Sequence, residues 1–385
     1  MSWLCVLFAC GDVAPELSVH CKVALAPATG PLTAEAAAAP DLVALAEVRI
    51  REARLTGDDG FYTLANSVAA CAHERFPIDQ DVARLMAFLL LQFHRFEEAE
   101  AAALALTVAD PDDREAWLLL GDARLEQGEF DEAAAAFRRM ARGADPVLFD
   151  RLATLAFAKG DLARAVAAER QAVGLAQKAP AADLSFYLAT LGWYGVLSGG
   201  DGPEFDTALA LVPTEPRALL WRGRTRLHRG DRVGAAEDFR AVGPTVEALW
   251  ALSEIDPSRS PREVSRQDPR AYGMWLAGTE PEEAKRLLER DLASRQDPLT
   301  KMAWLWARFR CGETVAEEAR EVLDAGSGEP RVSLWGGLIL LDNAALQRAV
   351  AMGPGLLPSE LSLAEQTIAS MAVSTQKEVG NLPRP

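Results

Sequence analysis

The sequence predicts an all-α fold, an α-solenoid built from stacked antiparallel helical hairpins. Apolar residues recur at three-to-four spacing from Asp41 onward, which is the period of helices that bury one face. Gly128 interrupts this period within residues 115–146, so that stretch is expected to form two helices joined by a tight turn. A small residue of the second helix recurs every 34 residues, at Ala65, Ala99 and Ala133. Because one hairpin cannot bury its own apolar face, the copies are expected to stack.

The best-preserved copy contains, in order, Trp117, Leu120, Gly121, Ala133, Phe137 and Pro146. This pattern resembles the tetratricopeptide repeat (TPR), except that Arg124 stands where that family has tyrosine. Gly121 and Ala133 let two helices approach closely, while Phe137 fills the space beside their contact. The resemblance implies a TPR-like superhelix.

Composition and charge limit the classes of function. The 385 residues are 49% hydrophobic and 25% charged, as in an ordinary globular chain, and the formal net charge is -16. A nucleic-acid-binding protein needs a positive surface to displace counterions from phosphates, so nucleic acid is not an expected partner. The charge favours basic or apolar partners.

Residues 1–9 form a separate segment. Its apolar stretch ends in Leu7-Phe8-Ala9-Cys10, which resembles the signal and lipobox of a bacterial lipoprotein. In that family the cysteine is acylated and becomes the mature N-terminus, which implies a lipid anchor at Cys10 and a periplasm-facing position in the cell envelope. The segment lacks the usual Lys or Arg, and a hydrophobic strap folded onto the first repeat is the alternative.

The rest of the chain divides by composition. Pro257, Pro261 and Pro269 cut one region into pieces that are too short for a standard hairpin. The predicted divisions are a tether or extended N-terminal segment (10–40), repeats (41–243), an irregular connection or degraded repeat (244–269), further degenerate repeats with a cap (270–372), and a flexible tail (373–385).

No pattern in the sequence indicates catalysis, a metal or a cofactor. The four histidines show no metal-site spacing, and the known zinc, phosphate-loop and dinucleotide motifs do not occur. His94 and His228 each precede a hairpin turn, where a solvated or turn-packing imidazole is expected. A bridge between Cys21 and Cys71 is possible, but sequence does not test its geometry.

The resemblance to the TPR family implies that the first helices line a concave groove and that their non-packing face contacts a ligand. The residues so implied are Arg84, Phe88, Asp122, Leu125, Asp150, Thr154, Trp193 and Arg224. Charged side chains at such positions are expected to be solvated, and aromatic and arginine side chains often dominate binding. The apolar members have an alternative role, which is packing on the neighbouring helix.

These observations predict a non-catalytic protein–protein interaction scaffold, a TPR lipoprotein of the bacterial envelope that binds a protein or peptide in its groove. Contact with the membrane is expected only through the lipid anchor. The alternative is a cytoplasmic TPR adaptor or a regulatory subunit of an enzyme complex.

Overall fold

The computed structural model of the protein describes residue 21 and residues 38–56, 60–141, 143–264, 268–293 and 295–380. This part of the chain contains twenty α-helices and no β-strand, which confirms the predicted all-α helical repeat solenoid. The predicted signal segment, Cys10 and most of the predicted tether lie outside the described residues.

The first ten helices are α1 (Ala39–Thr56), α2 (Gly60–Arg75), α3 (Gln80–Gln92), α4 (Phe96–Ala109), α5 (Arg114–Glu126), α6 (Phe130–Met140), α7 (Pro146–Ala158), α8 (Leu162–Leu175), α9 (Ala181–Leu197) and α10 (Glu204–Leu211). The last ten are α11 (Pro216–His228), α12 (Arg232–Val242), α13 (Val246–Ser253), α14 (Pro269–Leu276), α15 (Pro281–Leu292), α16 (Pro298–Arg310), α17 (Ala316–Ala325), α18 (Pro330–Leu340), α19 (Asn343–Ala351) and α20 (Pro358–Gly380). Each helix packs mainly against its neighbours in sequence, as expected of a solenoid.

A glycine of the first helix meets a phenylalanine ring of the second helix in several hairpins. A Cβ atom added at Gly121 would lie 2.3 Å from the ring of Phe137, which is fully buried. The pairs Gly192–Phe205 and Gly223–Phe239 repeat this contact. The small residue therefore sets the distance between paired helices, and the aromatic ring fills the gap.

Aspartates begin many of the helices. Asp113, for example, accepts hydrogen bonds of 3.0 Å from the backbone N–H groups of Glu115 and Ala116 at the start of α5. The other aspartates that cap helices in this way are Asp79, Asp145, Asp161, Asp231, Asp268, Asp297 and Asp342. Part of the negative charge of the chain therefore stabilises helix N-termini.

The described residues of the region 244–269 include the short helix α13 and a 3₁₀ turn at Pro261–Val264. At the other end, α20 continues to Gly380, through the first residues of the predicted tail.

The C-terminal hairpins return to the hairpin turns of the N-terminal half. The backbone N–H of Gln296 donates to the carbonyl of Glu126 (3.2 Å), and that of Gly328 donates to Phe157 (2.8 Å). We call these contacts the seam. A Cβ at Gly128 would lie 2.8 Å from the Gln296 carbonyl oxygen, so this glycine, with φ +77°, provides both the turn and the close approach.

A disulfide bond joins Cys21 to Cys71 in α2, with Cα atoms 4.8 Å apart. Cys21 is 1% exposed and packs with the apolar side chains of the first two hairpins. The bond ties the chain that precedes α1 to the start of the solenoid.

Candidate partner-binding surface

The predicted groove residues form a row along the first helices of five successive hairpins. Arg84 and Phe88 lie on α3, Asp122 and Leu125 on α5, Asp150 and Thr154 on α7, Trp193 on α9 and Arg224 on α11. We call the part on α3, α5 and α7 the open end and the part on α9 and α11 the covered end. The seam reaches the last turns of α5 and α7, but at the covered end a distant segment bonds one of the eight residues itself.

Arg84 links two hairpins at the open end. Its guanidinium donates to Asp113 (2.6 Å) and Asp81 and lies 3.7 Å from Glu115. The Arg84 side chain keeps 22% of its surface exposed. This cation is therefore accessible to solvent, but carboxylates of its own and the next repeat already hold it.

Arg151, which was not among the predicted residues, joins α5 to α7. Its Nε donates to Asp122 (2.7 Å) and its Nη1 donates to Asp150. The side chains of Arg151 and Asp122 keep 28% and 19% of their surface exposed. Asp150 is only 2% exposed, so the expectation that it is solvated is wrong: the neighbouring guanidinium pairs with this carboxylate while the helices enclose it.

The remaining members of the open end contribute mainly to packing. Leu125 is 8% exposed and belongs to the apolar cluster around Phe137, as the alternative role predicts. Phe88 is half-buried between the clusters of the first hairpins. The Thr154 hydroxyl donates to the backbone carbonyl of Asp150 in its own helix (3.0 Å).

At the covered end, a distant segment of the chain lies against the row. Trp193 is 7% exposed and stacks on Trp221 with ring centroids 5.3 Å apart. Arg224 donates to the carbonyl of Gly355 (2.5 Å), within the buried segment 353–357.

Arg224 is thus half-buried and bonded to the chain itself, so the expectation of a solvated groove cation is wrong for this residue. Burial and the positive charge of Arg331 lower the pKa of Arg224 to about 10. The guanidinium still carries its charge at neutral pH.

Glu169 lies beneath the junction of the two ends, on α8. It is fully buried, and neither carboxyl oxygen has a hydrogen-bond partner in the described part of the chain. Burial, reinforced by the negative charge of Asp150, raises the pKa of Glu169 to about 9, although Arg151 and Arg217 oppose this shift. The carboxyl group is therefore neutral at pH 7.

The described residues contain no group of three His, Cys, Asp or Glu side chains that could hold a metal ion. The free thiol of Cys311 is partly exposed, and burial with a hydrogen bond to Glu282 raises its pKa, which disfavours the reactive thiolate. Within the same residues, no helix has the length and apolarity that a membrane span requires.

Sequence reasoning missed Arg151, Glu169 and the segment 353–357. Arg151 directly follows a predicted groove residue, so a search for opposite charges on adjacent first helices would find it. Glu169 follows Ala165 by four residues, as Phe137 follows Ala133, so its spacing indicates the buried face of α8. The glycine and proline content of 353–357 indicates a break between helices, but it does not indicate which surface the break covers.

Comparison with known families supports the repeat pattern locally. Residues 85–147, from α3 to the start of α7, match the family model of the tetratricopeptide repeat. A comparison with curated proteins finds no match to the sequence.

The sequence and structure also match several solved structures at low sequence identity. The hetero-tetramer Cut9–Hcn1 of APC/C matches at 15% identity and a TM-score of 0.46, over 86% of this chain and 55% of that one. YrrB, described as a TPR protein with an unusual peptide-binding site, matches at 18% identity and a TM-score of 0.31, over 52% of this chain and 98% of that one. A human IFIT1 dimer with PPP-AAAA matches at 13% identity and a TM-score of 0.45, over 85% and 73% of the two chains. The chain thus spans about half the length of the Cut9–Hcn1 chain that it matches.

Proposed function

We propose that the protein is a non-catalytic scaffold that binds a protein or peptide partner at the open end of the row of predicted groove residues. The observation that carries this proposal is the series of partly exposed, charged side chains on α3, α5 and α7. The ion pairs of Arg84 and Arg151 retain access to solvent, so a partner's charged groups can exchange with them. At the covered end, Trp193 is buried and Arg224 bonds a backbone carbonyl of the segment 353–357 instead of an exposed carboxylate.

Site-directed photo-crosslinking in the native cells tests this assignment. A photoreactive phenylalanine analogue at Phe88, which is half-buried at the open end, is expected to crosslink one defined protein. The matched control places the analogue at Val108 on the second helix α4, where the side chain is 74% exposed. The proposal fails if position 108 captures the same protein equally well, or if position 88 captures none while a crosslink elsewhere shows that a partner is bound.

We further propose that a lipid on Cys10 holds this scaffold in the bacterial envelope, facing the periplasm. The Cys21–Cys71 disulfide supports this position, because such bonds persist in oxidising compartments and are rare in the cytosol. Several acyl chains on one cysteine bury enough apolar surface for stable membrane attachment, whereas a single acyl chain gives only marginal attachment.

Membrane fractionation and fatty-acid labelling of the native protein and Cys10→Ala test the anchor. The native protein is expected in the membrane fraction with label, and the variant in the soluble fraction without it. A soluble, unlabelled native protein with reduced Cys21 and Cys71 would instead support a cytoplasmic adaptor or a regulatory subunit of an enzyme complex.

A further inference from the structure

A second cleft lies outside the predicted row, where the turn between α3 and α4 faces α14 and α15. The cleft has a volume of about 710 Å³, and its lining includes Phe93, His94, Pro269, Leu287 and Arg290. None of the eight predicted groove residues lines it. This volume falls within the range of about 300–1,000 Å³ that is usual for ligand pockets.

The turn at this cleft departs from the repeat pattern. Glycine provides the positive-φ residue after several first helices, at Gly128, Gly160, Gly230 and Gly312, but in this turn the residue is His94, with φ +58°. A non-glycine residue in this region of backbone space is strained when the surroundings impose it, and such residues concentrate at functional sites. His94 therefore holds a strained backbone conformation at the turn that faces the cleft.

The seam explains why a side chain fits in this turn. At the next turns along the seam, the loop around Gln296 closes on Gly128 and the loop around Ser327 closes on Gly160, with added Cβ atoms 2.8 and 3.1 Å from backbone atoms. A side chain at either glycine would push the loops apart. At His94, the cleft separates the turn from the opposing helices α14 and α15, so there is room for a side chain. The imidazole stacks on Phe96 with ring centroids 5.7 Å apart.

The lining presents both apolar surface and an uncharged polar group. Phe93 is 40% exposed, while the half-buried Leu287 and the exposed Pro269 lie on the opposite side. Protein atoms packed around the imidazole, together with the positive charge of Arg295, lower the pKa of His94 below its ordinary value. The neutral ring can both donate and accept a hydrogen bond, which matches a peptide amide.

Charges around the cleft balance one another. Arg95 pairs with Glu98, and Asp291 lies 3.6 Å from Arg295, whose guanidinium sits over the ring of Phe96. The two other charged residues of the lining, Glu97 and Arg290, have opposite signs. In a chain with a net charge of -16, this is a nearly neutral surface, and it complements an uncharged occupant better than a basic one.

We propose that this cleft is a second docking site, which takes an uncharged aromatic side chain from a peptide segment of a partner protein. Phe93 and Leu287 contact the ring, and His94 contacts the adjacent peptide amide. The site adds a specificity pocket beside the open end of the row, and its use does not depend on which side chains of the row bind.

Capped tripeptides added to the intact protein test the proposal: acetyl-Ala-Phe-Ala-amide, acetyl-Ala-Lys-Ala-amide and acetyl-Ala-Glu-Ala-amide. Binding is followed by NMR through the imidazole signals of the four histidines, with that of His94 assigned from the variant that lacks it. The phenylalanine peptide is expected to shift the His94 signal and to bind at least about tenfold more tightly than the others, equivalent to about 1.4 kcal/mol. Equal binding of all three peptides overturns the aromatic assignment, and equally tight binding of benzyl alcohol overturns the peptide assignment.

His94→Gly and Leu341→Gly form a matched pair, because Leu341 also has positive φ (+50°) in a hairpin turn but lies away from the cleft. Both substitutions relieve backbone strain, so both variants are expected to fold and to melt no lower than the native protein. His94→Gly is expected to weaken binding of the phenylalanine peptide at least fivefold, and Leu341→Gly to leave it unchanged. Unchanged binding by both His94→Gly and Phe93→Ala overturns the proposal, while the crosslinking result at Phe88 remains independent of it.

Discussion

The open and covered ends of the row of predicted groove residues occupy equivalent positions on successive first helices, yet different groups lie against them. Arg84 and Arg151 pair with carboxylates of adjacent repeats and remain partly exposed. Arg224 pairs with a carbonyl group more than a hundred positions away along the chain. The repeat pattern thus determines which positions of the first helices these side chains occupy, whereas contacts between distant repeats determine which of them a partner can reach.

The largest expected effect concerns the segment that covers α9 and α11. Leu357→Ala removes a side chain that is 2% exposed and packs against Leu220 and Leu227, so the free energy of unfolding should fall by about 2–5 kcal/mol. Hydrogen exchange should accelerate in α11 more than in α3. The control Leu104→Ala, at a 44% exposed position on α4, should change stability by less than about 0.5 kcal/mol. Equal losses in both variants would show that 353–357 does not seal this end.

A second effect concerns the junction between the ends, and it depends on pH. The pKa of Glu169 is higher in the folded protein than in the unfolded chain, so between pH 5 and pH 8 the unfolded chain releases a proton that the folded protein retains. The contribution of Glu169 to the free energy of unfolding is therefore present at low pH and is lost as the pH rises. Glu169→Gln keeps the group neutral, so its stability relative to the native protein should increase by roughly 3–4 kcal/mol from pH 5 to pH 8. Chemical denaturation at both values measures this difference, and a pH-independent difference would contradict the burial of an unpaired carboxyl group.

The smallest expected change in stability lies at the open end. Arg84→Ala breaks a pair with Asp113, whose side chain is only 6% exposed but keeps two backbone N–H donors, so it should lower the free energy of unfolding by about 1–2 kcal/mol. The same variant should weaken partner binding, because it removes an accessible cation from the row. A stability loss as large as that of Leu357→Ala would show that the open end is as integral to the core as the covered end.

The sequence predicts the helical hairpins well because their determinants are local. Gly121 and Phe137 meet as the repeat pattern requires, and the eight residues named for the groove lie on five first helices. Spacing within a helix determines which side chains share a face, and the two helices of each hairpin are close together in the sequence.

The accessibility of the row could not be predicted in the same way. Asp150 is buried because Arg151 pairs with it, and Arg224 is engaged because 353–357 returns to α11. Both outcomes depend on contacts across hairpins, and the second depends on the curvature accumulated over several repeats. The cleft beside His94 has the same origin, since a histidine at a turn gives no indication of the helices opposite it.

The seam holds the C-terminal hairpins against the turns of the N-terminal half, and the cleft lies beside it. Amide hydrogen exchange of Gln296 and Gly328 tests the seam directly, since these loop amides donate to the carbonyl groups of Glu126 and Phe157 across it. With the seam closed, both amides should exchange on the order of 100-fold more slowly than in an unstructured chain, which corresponds to about 2.7 kcal/mol of protection. Exchange of both at the rate of an unstructured loop, with α5 and α7 still protected, would contradict the closed seam.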